Sequence, residues 1–256
     1  MTESPVDRIV PKNSTPLPVI AEDVVMGVGC RIGRGVVIES NVTLGREVEI
    51  GDGVFIGEGC RIGDGCRIEP KVVLREHTWI GKDVVIESGV ILGSDGFGFA
   101  QRADGTQFKI PQVGIVEIGD FSRIGARSTV DRATLGKTIV GDNVQIGSLV
   151  MVGHNVAIGA GCRLDNQCGV SGSTKIGEGT VIGTHAGLVG HLKVGGKSRI
   201  ESCTGVTKTL PEGTHLKGLF PAMDPVQFGE QQELIARLPE VVERLDRIEE
   251  KAAAAV

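Results

Sequence analysis

Two histidines, His154 and His191, are the residues of this chain whose spacing best suits chemistry. His154 lies in the string MVGHNVAIG, two positions after an aliphatic residue, so we expect it near a turn with its side chain outward. Gly172 follows eighteen residues after His154, and His191 nineteen after Gly172. A histidine beside a glycine backbone N–H combines a general base with a donor for an oxyanion. The sequence thus predicts a site for attack on a carbonyl group.

These spacings matter because the chain repeats every six residues. An aliphatic residue recurs at each sixth position from Ile20 to Leu92, again from Ile118 to Val130, and from Val140 to Val206. Such a period predicts a solenoid in which each hexad is a short strand plus a turn. Three hexads close one triangular coil, so residues eighteen apart should lie one strand spacing apart, about 4.8 Å.

The same period predicts the core. The periodic aliphatic and the small residue two positions before it should both point inward, in a core almost free of aromatics. Five of the six cysteines occupy that small inward position, which predicts buried structural thiols rather than metal ligands or disulfides. The glycine after the aliphatic is expected to adopt backbone angles closed to other residues.

Composition narrows the class of protein. The 256 residues carry a formal net charge of −5 without a basic block, which argues against nucleic-acid binding. The acidic N-terminus lacks an apolar run, so we predict neither a signal peptide nor a membrane span, and a cytoplasmic location.

The repeat also divides the chain. We expect an extended lead-in over residues 1–18, a β-helix over 19–210, and a connector plus helix over 211–256. An excursion over residues 94–117 and a second break at DRATLGKT, residues 131–138, interrupt the period. A long excursion is typical of functional loops, and its phenylalanines predict that it is ordered.

Pro239 should start a new helical segment or kink the helix. The C-terminal helix should carry aliphatic residues at heptad spacing along one side, and it could be either a lone amphipathic cap or one helix of a three-helix bundle. These residues are Leu234, Leu238, Val241, Leu245 and Ile248.

The strings outside the period carry a family resemblance. GSDGFGFA, KIPQVG, STVDRATLG, GHN, VSGSTKIG, GLVGHL and VTKTLPEG occur in this order. Over roughly residues 20–250 the chain resembles the UDP-3-O-acylglucosamine N-acyltransferases of lipid A biosynthesis. The resemblance implies an all-β fold, a left-handed parallel β-helix of hexapeptide repeats with a C-terminal helical segment, assembled as a homotrimer.

The resemblance also implies roles for residues. His154 would remove a proton from the 2-amino group of the sugar, Gly172 would offer its N–H to the oxyanion, and His191 would lie near the thioester. Asp95, Phe97, Phe99 and Asn155 match positions that border the substrate. The donor would be a 3-hydroxyacyl chain on the phosphopantetheine of acyl carrier protein, with no further cofactor and no metal.

Two departures from the family pattern stand out. The family carries an N-terminal uridine-binding domain, and this chain begins almost at the first hexad, which leaves recognition of UDP open. The family's acid before the catalytic histidine is replaced by Gly147. Asp165 lies one coil on from Gly147, and we hypothesise that it serves as the partner of His154.

Three other functions remain open at this point. The chain could be an N-acetyltransferase that uses acetyl-CoA, or a trimeric paralogue without catalysis. Zinc bound by His154, His185 and His191 would require these side chains to converge, although the repeat places His185 on a different face.

A basic cluster suited to an acidic carrier protein lies late in the β-helix, at Lys193, Lys197, Arg199, Lys208 and Lys217.

Overall fold

The computed structural model describes residues 16–218 and 224–253, in two compact units divided after Gly218. The first unit is a parallel β-helix and the second a single helix. Most of the predicted lead-in, residues 1–15, lies outside the described residues.

Three parallel sheets form the sides of the β-helix within the described residues. Sheet A contains Val19–Ile20, Val37–Ile38, Phe55–Ile56, Val73–Leu74, Ile91–Asp95, Thr129–Arg132, Met151–Val152, Gly169–Val170, Gly187–Leu188 and Gly205–Val206. Sheet B contains Val25–Met26, Thr43–Leu44, Arg61–Ile62, Trp79–Ile80, Ile115–Ile118, Lys137–Val140, Ala157–Ile158, Lys175–Ile176 and Lys193–Val194. Sheet C contains Arg31–Ile32, Glu49–Ile50, Arg67–Ile68, Val85–Ile86, Arg123–Ile124, Gln145–Ile146, Arg163–Leu164, Val181–Ile182, Arg199–Ile200 and His215–Leu216.

The eighteen-residue coil is confirmed by the strand register. Ile38 pairs with Ile56, and Val152 pairs with Val170. The register changes at the two interruptions, where Leu92 pairs with Val130 and Val130 with Val152. The excursion and the second break therefore leave the sheets continuous and add chain only at a turn.

The core consists of the two inward positions that the period predicted. The periodic aliphatics are buried from Ile38 onward, and so are Cys60, Cys66, Cys162 and Cys168. Several of these small residues have a second role that the sequence did not reveal. The thiols of Cys60 and Cys162 lie 3.2 and 3.1 Å from carbonyl oxygens of the next coil, and threonine hydroxyls donate in the same way elsewhere. A small residue with a polar hydrogen therefore both fills the core and satisfies a turn carbonyl.

The expectation about glycine after the aliphatic holds at Gly93, with φ 91°, where the excursion begins, but is wrong in its physical reason for the regular hexads. A Cβ on Gly27 would lie 2.6 Å from the backbone nitrogen of Arg46 in the next coil, so close approach of coils requires the glycine. Left-handed φ values occur two residues later in the turn, where Asn143 and Asn155 adopt φ values of 53° and 57°. Asparagine tolerates that region better than most residues.

The boundaries after the β-helix also differ from the prediction. His215–Leu216 pairs with Arg199–Ile200, so the β-helix runs past residue 210. The helix spans Pro225–Ala253 and continues through Pro239. Asp224 begins it, since its carboxylate accepts the N–H groups of Val226 and Gln227 at 2.9 and 3.1 Å. No helix within the described residues is both long and apolar enough to cross a membrane.

The burial of the thiols leads to a prediction about their reactivity. Desolvation raises the pKa of Cys60 and Cys66 to about 11 and that of Cys168 to about 12. Since the thiolate is the reactive form, these residues should resist a thiol reagent at pH 8 in the native protein. Exposed Cys203 should react, and Cys203→Ser should remove that signal. Mass spectrometry of labelled peptides before and after denaturation checks this, and native labelling of Cys60 or Cys168 would contradict it.

Candidate active site

The departures from the repeat gather at one edge of the β-helix, the corner between sheet A and sheet B. The excursion leaves sheet A after Asp95 and enters sheet B at Ile115, and the second break joins the next pair of strands in those two sheets. His154 and Gly172 lie in the following two turns at the same corner. We call this edge the His154 corner.

The excursion is ordered, as predicted, because it forms a hairpin and rests on the second break. Phe99–Gln101 pairs antiparallel with Gln107–Lys109. Beyond the hairpin, the N–H groups of Val113 and Gly114 donate to the carbonyls of Thr134 and Ala133 at 3.1 and 2.9 Å. The Gln112 side chain, which is buried, accepts the Thr134 hydroxyl at 2.9 Å. Each interruption thus supplies the hydrogen-bond partners of the other.

The second break is in turn fixed to Asn155. Asn155 Oδ1 accepts the Thr134 N–H, and its Nδ2 donates to the Leu135 carbonyl, both at 2.9 Å. The remaining contact of Oδ1 is His154 Nδ1, at 3.2 Å. The polar atoms of Asn155 therefore face the backbone and the imidazole, and its role as a substrate contact stays a prediction.

His154 is held between two glycines. A Cβ on Gly96 would lie 2.6 Å from His154 Cβ, and a Cβ on Gly172 would lie 2.5 Å from His154 Nε2. The excursion covers one side of the histidine, and the next coil passes its other side without a side chain. The predicted adjacency of His154 and Gly172 is confirmed.

The backbone N–H of Gly172 has no hydrogen-bond acceptor among the described residues. In the equivalent turn position of another corner, Ser148 N–H donates to the Asn166 side chain of the next coil at 2.8 Å. The residue one coil beyond Gly172 is Gly190, which has no side chain to offer. The N–H of Gly172, one coil beyond His154, therefore remains available for a ligand.

A groove of about 740 Å³ opens beside His154. Phe97 and Phe99 stand in it edge to face, with ring centroids 5.2 Å apart, and Phe97 is 84% exposed. Its lining combines aromatic and amide groups of the excursion with the corner, at Phe97, Gly98, Phe99, Gln107, Ile110, Gln112, Thr134 and His154. The groove thus places apolar side chains of the excursion next to a histidine.

An acid that the sequence analysis missed lies near His154. Asp131, the first residue of the second break, is 8% exposed and accepts the Ser94 hydroxyl at 2.8 Å. Burial raises the pKa of the Asp131 carboxyl above its usual range, while the Ser94 hydrogen bond and the charges of His154 and Lys109 act in the opposite direction. The only sequence signal for Asp131 was its place in the string STVDRATLG. The six-residue period could not predict its contacts, because these depend on the conformation of the break.

The other predicted residues are distributed as follows. The His191 N–H donates to the Gly172 carbonyl at 3.1 Å, so His191 lies at the His154 corner, one coil beyond Gly172. Asp95 lies at the end of its strand in sheet A, 3.9 Å from Lys109 Nζ. Asp165 follows sheet C and pairs with Arg163 Nε at 2.8 Å, so within the chain it is not the partner of His154.

The histidines of the zinc alternative are not gathered within the chain. His185 lies in a turn after sheet C, and its N–H donates to the Asn166 carbonyl. His154 and His191 lie after sheet A. In residues 16–218 and 224–253, no three His, Cys, Asp or Glu side chains are grouped as a metal site requires.

Three parallel sheets of six-residue repeats, interrupted at a single corner around a histidine, define a hexapeptide-repeat β-helix protein. The family Bacterial transferase hexapeptide (six repeats) matches residues 29–63, 59–94 and 137–172. The chain is similar in sequence to UDP-3-O-acylglucosamine N-acyltransferases, which confirms the predicted resemblance.

Two such relatives give the extent of the likeness. The enzyme of Coxiella burnetii is 48% identical over 187 residues, which are 71% of this chain and 55% of that protein. The enzyme of Methylorubrum populi is 38% identical over 164 residues, 64% of this chain and 46% of that protein. The chain thus spans about half the length of these relatives.

Solved structures show the fold alone. The UDP-N-acetylglucosamine acyltransferase of Arabidopsis superposes with a TM-score of 0.67 at 19% identity, covering 79% of this chain and 70% of that one. LpxA from Acinetobacter baumannii gives a TM-score of 0.60 at 19% identity, covering 85% and 76%.

Asp131 leads to a prediction about stability. Because its folded-state pKa is raised, the stabilisation it gives when protonated is lost as pH rises through that pKa. At pH 7 the buried carboxylate should weaken the fold, so Asp131→Asn should raise the melting temperature of the β-helix. The gain should shrink as pH falls towards about 3.9, the ordinary pKa of aspartate.

Thermal unfolding followed by circular dichroism from pH 4 to 8 measures this difference. Asp165→Asn, at an ion pair on the surface, is the matched control and should change the melting temperature little. A variant Asp131→Asn that melts lower than wild type at pH 7 would contradict the prediction.

Proposed function

We propose that the chain is an N-acyltransferase of lipid A biosynthesis that moves a 3-hydroxyacyl chain from acyl carrier protein to the 2-amino group of a UDP-3-O-acylglucosamine-type sugar. The relatives named above support this reaction. The observation that carries it is the approach of His154 Nε2 to the backbone of Gly172, whose N–H has no acceptor among the described residues, because aminolysis of a thioester needs a base and an oxyanion donor together.

The reaction follows from these two groups. The sugar amine attacks the thioester carbonyl carbon while His154 Nε2 takes a proton from the amine. The carbonyl oxygen gains the negative charge and receives a hydrogen bond from the Gly172 N–H. The C–S bond then breaks, the amide forms, and the imidazolium returns its proton to the departing thiolate. The thioester arrives activated, so the reaction needs no resident cofactor.

The groove suits an acyl chain next to this centre. Phe97, Phe99 and Ile110 give it an apolar wall, and His154 lies within the same lining. We propose that these residues hold the hydrocarbon, with Asp95 near the sugar, and that His191 approaches the phosphopantetheine arm from one coil further on.

Assembly and docking belong to the same proposal. The helix Pro225–Ala253 buries none of its residues, and its heptad seam is exposed, which supports association of three copies as a homotrimer. Lys175 and Lys193 lie opposite each other in sheet B, so two positive side chains are neighbours there. Like charges side by side favour an anionic partner, consistent with an acidic carrier protein. We also propose a cytoplasmic location, where acyl carrier protein is available.

The function is tested by incubating the protein with 3-hydroxyacyl carrier protein and UDP-3-O-acylglucosamine, followed by mass spectrometry of the sugar. Wild type should form the N-acyl product, and His154→Ala should slow the reaction about 10²-fold or more. Absence of product with wild type, or equal rates for both proteins, would refute the proposal. Faster turnover with acetyl-CoA on a simpler sugar would favour the acetyltransferase alternative.

Gly172→Ala should also slow the reaction, about 10²-fold, because its methyl group would displace the imidazole. Alanine itself suits this turn position, since Ala126 and Ala160 occupy it at other corners. The control is Gly196→Ala, in the same turn position away from His154, where the nearest atom is the Glu178 carbonyl oxygen at 3.0 Å. Equal rates for Gly172→Ala and Gly196→Ala would show that contact with His154 is not what matters.

A further inference from the structure

The two ring nitrogens of His154 have different surroundings. Nδ1 lies 3.2 Å from Asn155 Oδ1, whereas Nε2 faces the bare backbone of Gly172. A neutral imidazole carries its proton on one nitrogen and a lone pair on the other. Whichever nitrogen holds the lone pair is the one able to act as a base.

The orientation of the Asn155 amide is fixed by two backbone groups. The Thr134 N–H can only donate, so the atom it contacts must be the amide oxygen. The Leu135 carbonyl can only accept, so the atom it contacts must be the amide nitrogen. Rotating the amide by 180° would place a donor against a donor and an acceptor against an acceptor. The atom facing the imidazole is therefore an oxygen.

An oxygen beside Nδ1 stabilises only the form in which Nδ1 carries the hydrogen. We propose that Asn155 is a positioning residue that keeps the neutral His154 ring protonated at Nδ1, so that the lone pair stays on Nε2 towards Gly172. This inference rests on the proposed role of His154 as the base and adds the residue that selects its tautomer.

The position of Asn155 is itself held by the turn. Its φ of 57° lies in the left-handed region, and its backbone N–H donates to the hydroxyl of buried Thr138 at 2.9 Å. Because Thr134, Leu135 and Thr138 all belong to the second break or its edge, the four added residues of that break create the clamp. In a regular turn the same N–H donates instead to a backbone carbonyl of the preceding coil, as the Ser173 N–H does to the His154 carbonyl at 2.8 Å.

The test is the tautomer of His154 in the protein without substrate. Long-range proton–nitrogen NMR on ¹⁵N-histidine-labelled protein at pH 8 distinguishes a protonated Nδ1 from a protonated Nε2, and the His154 signal is assigned by its loss in His154→Gln. We expect wild-type His154 to be protonated mainly at Nδ1. Mainly Nε2 protonation in wild type would overturn the proposal without any variant.

Asn155→Gly should move the His154 signals towards the Nε2-protonated form, since glycine keeps the left-handed turn and removes the amide. The matched control is Asn143→Gly, an asparagine with φ 53° in the same turn position of another corner, which should leave the His154 signals unchanged. Unchanged signals in Asn155→Gly would also overturn the proposal.

A kinetic measurement follows if the transfer reaction holds. Asn155→Gly should lower kcat about 10-fold or more with little change in KM, whereas Asn143→Gly should change neither. The NMR result does not depend on any substrate. A failed activity assay with the expected tautomer would therefore count against the proposed function, while the wrong tautomer would count against the role of Asn155.

Discussion

The parallel backbone ladder between successive coils is the interaction on which the rest of this molecule depends. Each coil donates and accepts its strand hydrogen bonds to the coils on either side, and this fixes the register at eighteen residues wherever the repeat is intact. The position of a side chain in its hexad therefore determines which side chains of the adjacent coils are its neighbours. The ladder also brings coils so close that Gly153 cannot carry a Cβ, which would lie 2.7 Å from the nitrogen of Gly172.

The groove beside His154 forms where extra chain leaves this regular ladder. Both interruptions do so at the His154 corner, and they satisfy each other's backbone groups instead of being exposed to water, as Val113 and Thr134 show. The regular coil beyond them supplies the complementary part. Gly172 and Gly190 lack the side chains that occupy equivalent turns, so the backbone N–H of Gly172 has no acceptor among the described residues, one coil beyond the histidine. The groove is thus lined by residues of the two interruptions and by His154 of the regular coil that follows them.

The difference between the regular ladder and its two interruptions explains which features could be predicted from the sequence. The period alone located the core, the corner and the adjacency of His154 and Gly172, because all three follow from counting residues along a fixed ladder. It did not identify Asn155 or Asp131 as neighbours of the imidazole, because the conformation of the second break has no period. The hypothesis about Asp165 carried the position of Gly147 forward by one coil, but both residues follow sheet C, and within the chain that turn is separate from the His154 corner.

The same geometry explains why the partner of His154 is an amide and not an acid. A carboxylate at position 155 would place an oxygen against the Leu135 carbonyl, where the amide nitrogen now donates. The turn that positions Asn155 therefore favours a neutral side chain, which can orient the ring but cannot offset the charge of an imidazolium. A negative charge is available from a separate residue, Asp131, buried near His154 beneath the excursion. Two residues in or against the second break therefore surround the imidazole, the Asn155 amide at Nδ1 and the Asp131 carboxyl nearby.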